Sequence, residues 1–460
     1  MKIALAVVML AACGGSQPPP PELPPIAPAP PEAAQPPPPP RDITSVVDGD
    51  VTDAQVHGIH VLVKRIPGAE STSTAIYVTG GAMTWTKETA GLEQLALATA
   101  TEGGTKQLDK DAFSKRLADL GSSIVSGVAR DYSAMSAWSL TPAWDATFDL
   151  LAEAFLTPAL PATQLEIARR QQIAELQHEL DDPDGRLEIL ADATLYKDHP
   201  YAVRPDGTVE TVQGFTAAQV AEHLGTLRHT SRMLVVVVGD IDANHVIDSV
   251  WNTFHDLPKG DAPPPVPEIS VAATGKVDVV TDKLPTTYIE ARVVGPRWND
   301  PDFPVARVAM EWLHQLEFEE VRTKRNLSYA PGAGFATGSI APIAYLYVTA
   351  VDPRTTMKVM LDQAKRMRDT KISDHDLAAA KAMLLTSTFM AAEAPADQAS
   401  QLAHAQIYAN DWHYVRKLPQ LVDAVTAEQV QTWCAKHLTH FETSVIGDGT
   451  KLDRAALESF

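Results

Sequence analysis

Hydrophobic and polar positions change their period repeatedly along this chain, and each change marks an element. Residues 74–80 (TAIYVTG) form an apolar run rich in β-branched and aromatic side chains, which predicts a buried strand. After a loop over 81–90, Leu92, Leu95 and Ala96 recur at helical spacing. They predict a buried helix that ends at Gly103 and Gly104. Further strands are predicted near 55–65 and 124–140, the latter alternating through Tyr132, Ala134, Ser136, Trp138 and Leu140. Phe113, Leu117 and Leu120 share one face of a helix over 111–120 that stops at Gly121, and a longer helix follows over 162–180. Later, strands at 276–281, 287–294 and 344–349 accompany helices over 303–324 and 374–392.

One combination occurs twice. Thr216-Ala217-Ala218-Gln219-Val220 leads through a helix to the apolar strand LVVVVGD at 234–240. Thr426-Ala427-Glu428-Gln429-Val430 leads in the same way to SVIGD at 444–448. Two matches in the same order imply a duplicated domain, with the Pro-rich DAPPPVP at 261–267 as the linker. The fold class is therefore α+β: two homologous domains, 43–260 and 268–460, each an antiparallel-rich sheet backed by helices.

The ends and the composition add four constraints. Residues 1–13 (MKIALAVVMLAAC) resemble a bacterial lipoprotein signal whose lipobox ends at Cys13. That resemblance implies cleavage before Cys13, lipidation of its thiol and, with Gly14 next, release to the outer membrane facing the periplasm. The segment 14–42 is dominated by proline and reads as a polyproline II stalk, able to reach about 75 Å at about 3.1 Å per residue. The other cysteine, Cys434, sits in a helical pattern over 429–436 and reads as a small buried hydrophobe, so no disulfide framework is expected. A formal net charge of −20 argues against nucleic acid as a partner and is compatible with cationic peptides.

The helix at 91–105 (GLEQLALATATEGGT) resembles the first helix of the insulinase-like (pitrilysin, M16) metallopeptidases, which reads G-x-A-H-x-x-E-H and closes on G-T. The resemblance rests on Gly80, Gly91, Leu92, Glu102, Gly103 and Thr105. It places the family's two zinc histidines on Gln94 and Ala98, and its general-base glutamate on Leu97. Residues i and i+4 share a helical face, so two histidines there can grip Zn²⁺ while a glutamate at i+3 polarises its water. Gln is a poor zinc ligand, and Leu and Ala offer no donor. The expectation is a core helix without metal. Glu175, in Ala174-Glu175-Leu176-Gln177, matches the third zinc ligand, but a lone carboxylate holds zinc poorly. His199-Pro200-Tyr201 followed by Gly207-Thr208 resembles another family segment and reads equally well as a turn between helices.

Residues 318–329 (FEEVRTKRNLSY) resemble the family's F-x-E-L-R-x-x-x-x-L-x-Y signature. The resemblance implies that Arg322 and Tyr329 bind substrate main chain and donate to a developing oxyanion. Without it, they read as a cation at a helix end and a core tyrosine. Other histidines fall short of a metal site. His314 and Glu317 have H-x-x-E spacing, but Phe318 takes the next ligand position. His437 and His440 lie at a helix end, and His57 and His60 are expected on opposite faces of a strand.

The resemblance implies two domains facing each other, with a chamber for an extended peptide between halves or subunits. The expected function is a non-catalytic M16-like lipoprotein that binds peptide and completes the active site of a zinc-bearing partner in a heterodimer. This chain would hold no cofactor itself, any zinc belonging to the partner. A peptide-binding or scaffold protein of the cell envelope is the alternative. A self-sufficient peptidase would need a metal site of its own.

Overall fold

Each half repeats one five-strand plan. The computed structural model describes residues 41–271 and 273–460. The expectations for residues 1–13, for Cys13 and for most of the stalk lie outside the described residues. The first half runs β1 (Ile43–Asp48), β2 (Val51–Val56), β3 (Ile59–Arg65), β4 (Ser71–Thr79), α1 (Leu92–Glu102) and α2 (Lys110–Leu120). It continues with β5 (Ser123–Val128), β6 (Tyr132–Leu140), α3 (Trp144–Leu156), α4 (Ala162–Asp181) and α5 (Pro183–Leu195). It closes with α6 (Val209–Gly214), α7 (Ala217–Thr226), β7 (Met233–Gly239) and α8 (Ala243–Phe254). The second half has β8 (Lys276–Val280), β9 (Thr287–Val294), α9 (Phe303–Glu317), β10 (Gly332–Ala336), β11 (Ile343–Ala350) and α10 (Pro353–Asp369). After these come α11 (Asp374–Met390), α12 (Pro395–Ala409), α13 (Tyr414–Asp423), α14 (Ala427–His437), β12 (Glu442–Ile446) and α15 (Arg454–Ser459).

The first sheet is ordered β1-β2-β3-β7-β4-β6-β5 and the second β10-β11-β9-β12-β8. Parallel pairing occurs once in each, at β3–β7 and at β8–β12; every other ladder is antiparallel. Read from the parallel pair outward, the two orders are the same, and the first half adds only the β1–β2 extension. The repeated T-A-x-Q-V has a local cause as well. Thr216 and Thr426 each accept from the backbone N–H of Gln219 and Gln429, whose side chains accept in return, so both helices open with a capping box. Val220 and Val430 then enter the core.

Three element boundaries depart from the sequence reading. The strand near 55–65 is a hairpin, because His57 (φ 51°) and Gly58 (φ 87°) both take left-handed conformations that reverse the chain. His57 is thus a turn residue, and only His60 stands on a strand. The stretch 124–140 is likewise two strands, β5 and β6, whose hydrogen-bonded closure lies at Ala129–Tyr132. The helix over 303–324 is α-helical only to Glu317 and then widens into a π turn over Phe318–Thr323.

Each sheet has a helix of the other half on the face away from its own helices. On the first sheet, α12 covers β4 and β7, placing Ala399, Leu402 and Ala403 against Leu62, Ala75, Val236 and Val238. On the second, α5 lies over β9 and β12. This exchange explains the burial of β7, whose seven residues are all below the surface, since it is covered on both faces. Of the two places named for a peptide chamber, the one between halves holds α5 and α12, with cavities lined by both halves beside them.

Candidate functional site

Arg322 and Tyr329 come together where α9 ends. The π turn closes through the Lys324 N–H donating to the Glu319 carbonyl at 2.8 Å. Asn326 then takes a left-handed conformation (φ 51°) and returns the chain toward the turn. The Arg322 guanidinium carbon lies 4.1 Å from the Tyr329 ring centroid and 4.8 Å from that of Phe318. Tyr329 is 79% exposed, so it is not a core residue. The neighbouring cations are neutralised: Lys324 pairs with Glu319 at 3.0 Å and Glu320 at 2.7 Å, and Arg325 pairs with Glu320. Among the described residues Arg322 has no ion pair. Two rings orient its planar fork without consuming its N–H donors. The sequence reading gave Phe318 no part in the clamp, although its i, i+4 spacing from Arg322 carried the signal.

The clamp stands beside a sheet edge. Three residues after Tyr329 the chain enters β10, the edge strand of the second sheet, with Gly332 and Gly334 on one face. An edge strand leaves a row of backbone donors and acceptors open to an extended chain.

Just before the π turn lies a buried acid. Glu317 is fully enclosed and neither carboxyl oxygen has a partner. Burial pushes its pKa well above the usual value of 4.5. Above pH 4.5 the folded state therefore holds one proton more than the unfolded chain, and stability falls as pH rises until the folded group ionises. Glu317→Gln removes that dependence. Its melting temperature should exceed that of the native chain at pH 8, and the difference should vanish below pH 4.5. An equal difference at both pH values would show that Glu317 is not held neutral.

The helix that resembles the zinc helix does not fit the metal. Leu97 is 2% exposed and belongs to the core, while Gln94 and Ala98 are half-buried on α1. Only Gln94 of the three carries a polar side chain, and an amide is a weak donor to zinc. Glu175 is exposed on α4, and no group of three His, Cys, Asp or Glu able to hold an ion occurs among the described residues. The carboxylate that α1 does bury is Glu93, which accepts from Trp85 Nε1 at 2.9 Å and bonds His223 Nε2 at 3.0 Å. Burial opposes its charge, yet the His223 and Trp85 hydrogen bonds outweigh burial and hold its pKa below the usual range.

The other retained motif residues have structural work. Gly91 and Gly207, both with φ above 75°, press backbone to backbone, and a Cβ on Gly207 would come 2.4 Å from the Ala90 carbonyl. Gln172 donates to the carbonyls of Gly91 and Asp206 across that contact. Tyr201 is fully buried and its hydroxyl donates to Asp131, which also accepts from the Ile340 N–H of the second half at 3.0 Å.

Nearby, charges tie the halves together. Arg292 of β9 donates to Asp192 of α5 at 2.6 Å and to Glu290 at 2.8 Å, while Arg130 pairs with the other Asp192 oxygen. Burial alone would weaken the Arg292 charge, but Glu290 and Asp192 raise its pKa. None of these four residues was singled out in the sequence, because Glu290 and Arg292 read as the solvent side of an alternating strand.

Comparisons with known proteins place this geometry. Residues 60–204 match the sequence model of the insulinase peptidase family M16, and residues 214–384 match that of the peptidase M16 inactive domain. The chain is 20% identical to the mitochondrial-processing peptidase subunit beta of Saccharomyces cerevisiae over 88% of this chain and 92% of that protein. It is 22% identical to subunit 1 of the cytochrome b-c1 complex of the same yeast, over 85% of this chain and 88% of that protein. In fold it is similar to a crystallised peptidase M16 inactive domain from Pseudomonas fluorescens, with a TM-score of 0.76, 20% identity, and coverage of 88% of this chain and 98% of that one.

Proposed function

The chain belongs to the insulinase-like M16 peptidase family, and from that premise we propose that it is a non-catalytic member that binds peptide through Arg322 and Tyr329 and completes the active site of a zinc-bearing M16 partner. The observation that carries this reading is the half-buried, unneutralised Arg322, held between the exposed rings of Phe318 and Tyr329 beside the edge strand β10. A guanidinium so placed can donate to a peptide carbonyl while the Tyr329 hydroxyl supplies a second donor. The donor-poor α1 stripe of Gln94, Leu97 and Ala98 supports a division in which another chain carries the metal step. Two relatives are named as subunits, which supports a paired arrangement.

The test is reconstitution. This chain is mixed with an M16 chain from the same organism that carries an intact His-x-x-Glu-His, and cleavage of an extended peptide is followed. Cleavage should require both chains. A zinc-bearing chain equally active alone would leave a peptide-binding protein as the better account.

The resemblance of residues 1–13 to a lipoprotein signal supports a location in the cell envelope, lipid-anchored and facing the periplasm. Cys13→Ser should move the protein out of the membrane fraction, whereas Cys434→Ser, in the core of the second half, should leave its location unchanged. Membrane association that survives Cys13→Ser would remove the lipid anchor from this reading.

A further inference from the structure

A cavity of about 510 Å³ lies at the seam, between the end of α11, the helices α12 and α13, the start of α9 and the Val51–Lys64 end of the β2–β3 ladder. That volume is ordinary for a small-molecule site. Its walls are mainly apolar, with Trp298, Leu402, Val415 and Leu418 among them, and Phe389, 60% exposed, stands at the lining. Three cations also line it: Lys64 pairs with Asp50, and Arg416 pairs with Asp48 and Asp50, which leaves Arg307 of α9 as the unpaired one. Burial lowers its pKa, no ion pair neutralises it among the described residues, and its one side-chain hydrogen bond is a 3.4 Å contact to the Thr388 hydroxyl. Glu311, one turn further on, is close enough to be felt but accepts from Gln315 and forms no ion pair with Arg307.

Tyr414 supplies a second donor. It is 7% exposed, its hydroxyl is buried without a partner, and it lines the same cavity as Arg307. His404 is also in the wall, but burial keeps it neutral and its Nε2 bonds the Tyr132 hydroxyl at 2.8 Å. A desolvated cation beside an unused hydroxyl donor in an apolar cavity is a site lacking an anion.

We propose that this cavity binds a small amphipathic carboxylate of the fatty-acid type, its head on Arg307 and Tyr414 and its chain along the apolar wall. The site is separate from the clamp: Arg307 and Arg322 are fifteen residues apart on one helical run, roughly 22 Å at 1.5 Å per residue. Its test needs neither peptide nor partner, so its outcome is independent of the proposed function.

The purified full chain is titrated calorimetrically with decanoate, decan-1-ol and decyltrimethylammonium, each below its aggregation limit. Decanoate should bind at least about tenfold more tightly than the alcohol or the cation, the discrimination expected of one charge-assisted contact. Arg307→Gln should bring decanoate to the alcohol's affinity, and Tyr414→Phe should weaken decanoate alone. Ser387→Trp, an exposed substitution at the cavity lining, should weaken all three ligands without lowering the melting temperature. Should Arg307→Gln fail to fold, the selectivity of the native chain and the Tyr414→Phe result decide the matter. Equal binding of the three ligands by the native chain, or a preference for decanoate unchanged in Arg307→Gln, overturns the proposal.

Discussion

Replacing Arg322 by alanine is expected to lower peptide turnover by the reconstituted pair on the order of 10²–10³-fold, the usual cost of removing one preorganised donor from a developing oxyanion. The expectation follows from where its charge is left. Lys324 and Arg325 spend theirs on Glu319 and Glu320, whereas Arg322 is oriented by two rings and keeps its N–H groups free. Tyr329→Phe keeps the ring that stacks on Arg322 and removes only the hydroxyl, so it separates positioning from donation. If the hydroxyl donates to substrate, Tyr329→Phe also loses turnover. If the ring merely shields the cation, that variant stays active while Tyr329→Ala does not. Thermal stability should barely move in the Tyr329 variants, because an exposed side chain contributes within about 0.5 kcal/mol, and Arg322→Ala should cost about 0.5–1 kcal/mol for its lost stacking. Peptide cleavage and melting temperature are measured on the same preparations. Full turnover by both Arg322→Ala and Tyr329→Phe would remove the clamp and favour a scaffold.

Arg292→Ala should be the most destabilising single change at the seam. Arg292 is 6% exposed and Asp192 is 6%, and Glu290 is also largely enclosed, its pKa raised by burial. Removing the cation leaves two buried carboxylates without their main partner, a loss of about 3–5 kcal/mol for a broken buried pair. Arg130 remains on one Asp192 oxygen and should keep the cost toward the lower end. The measurement is urea unfolding followed by both tryptophan fluorescence and circular dichroism. A triple change, Arg292→Met with Asp192→Asn and Glu290→Gln, should recover most of the loss, since neutral groups leave no charge to compensate. A cost below about 1 kcal/mol for Arg292→Ala would mean that water reaches these carboxylates.

Much of this was written locally. The T-A-x-Q-V pairs encode capping boxes, which depend only on residues three apart, and their recurrence revealed the duplication before any strand was paired. The bounds of β9 were legible in the sequence, and the apolar run at 234–240 read as a strand, while its cover on both faces came only from the tertiary structure. The π turn was not legible, because widening one helical turn changes no apolar spacing that a 3.6-residue period can register. Nor was the hairpin at His57 and Gly58, where a left-handed histidine replaces the usual Asn or Asp signal.

What the sequence by itself determined is the architecture of each half, the absence of zinc donors at Gln94, Leu97 and Ala98, and the spacing from Arg322 to Tyr329. All of these are set by residue identity and short-range periodicity. Only the tertiary structure decided which polar faces are buried. Glu290 and Arg292 alternate with Ile289, Ala291 and Val293, as any half-exposed strand would, and nothing in that pattern says that α5 will cover them. The charge on Arg307 likewise reads as a solvated helix face until α12 and α13 close over it from elsewhere in the chain. A side chain's exposure depends on partners distant in sequence, and no local pattern contains them.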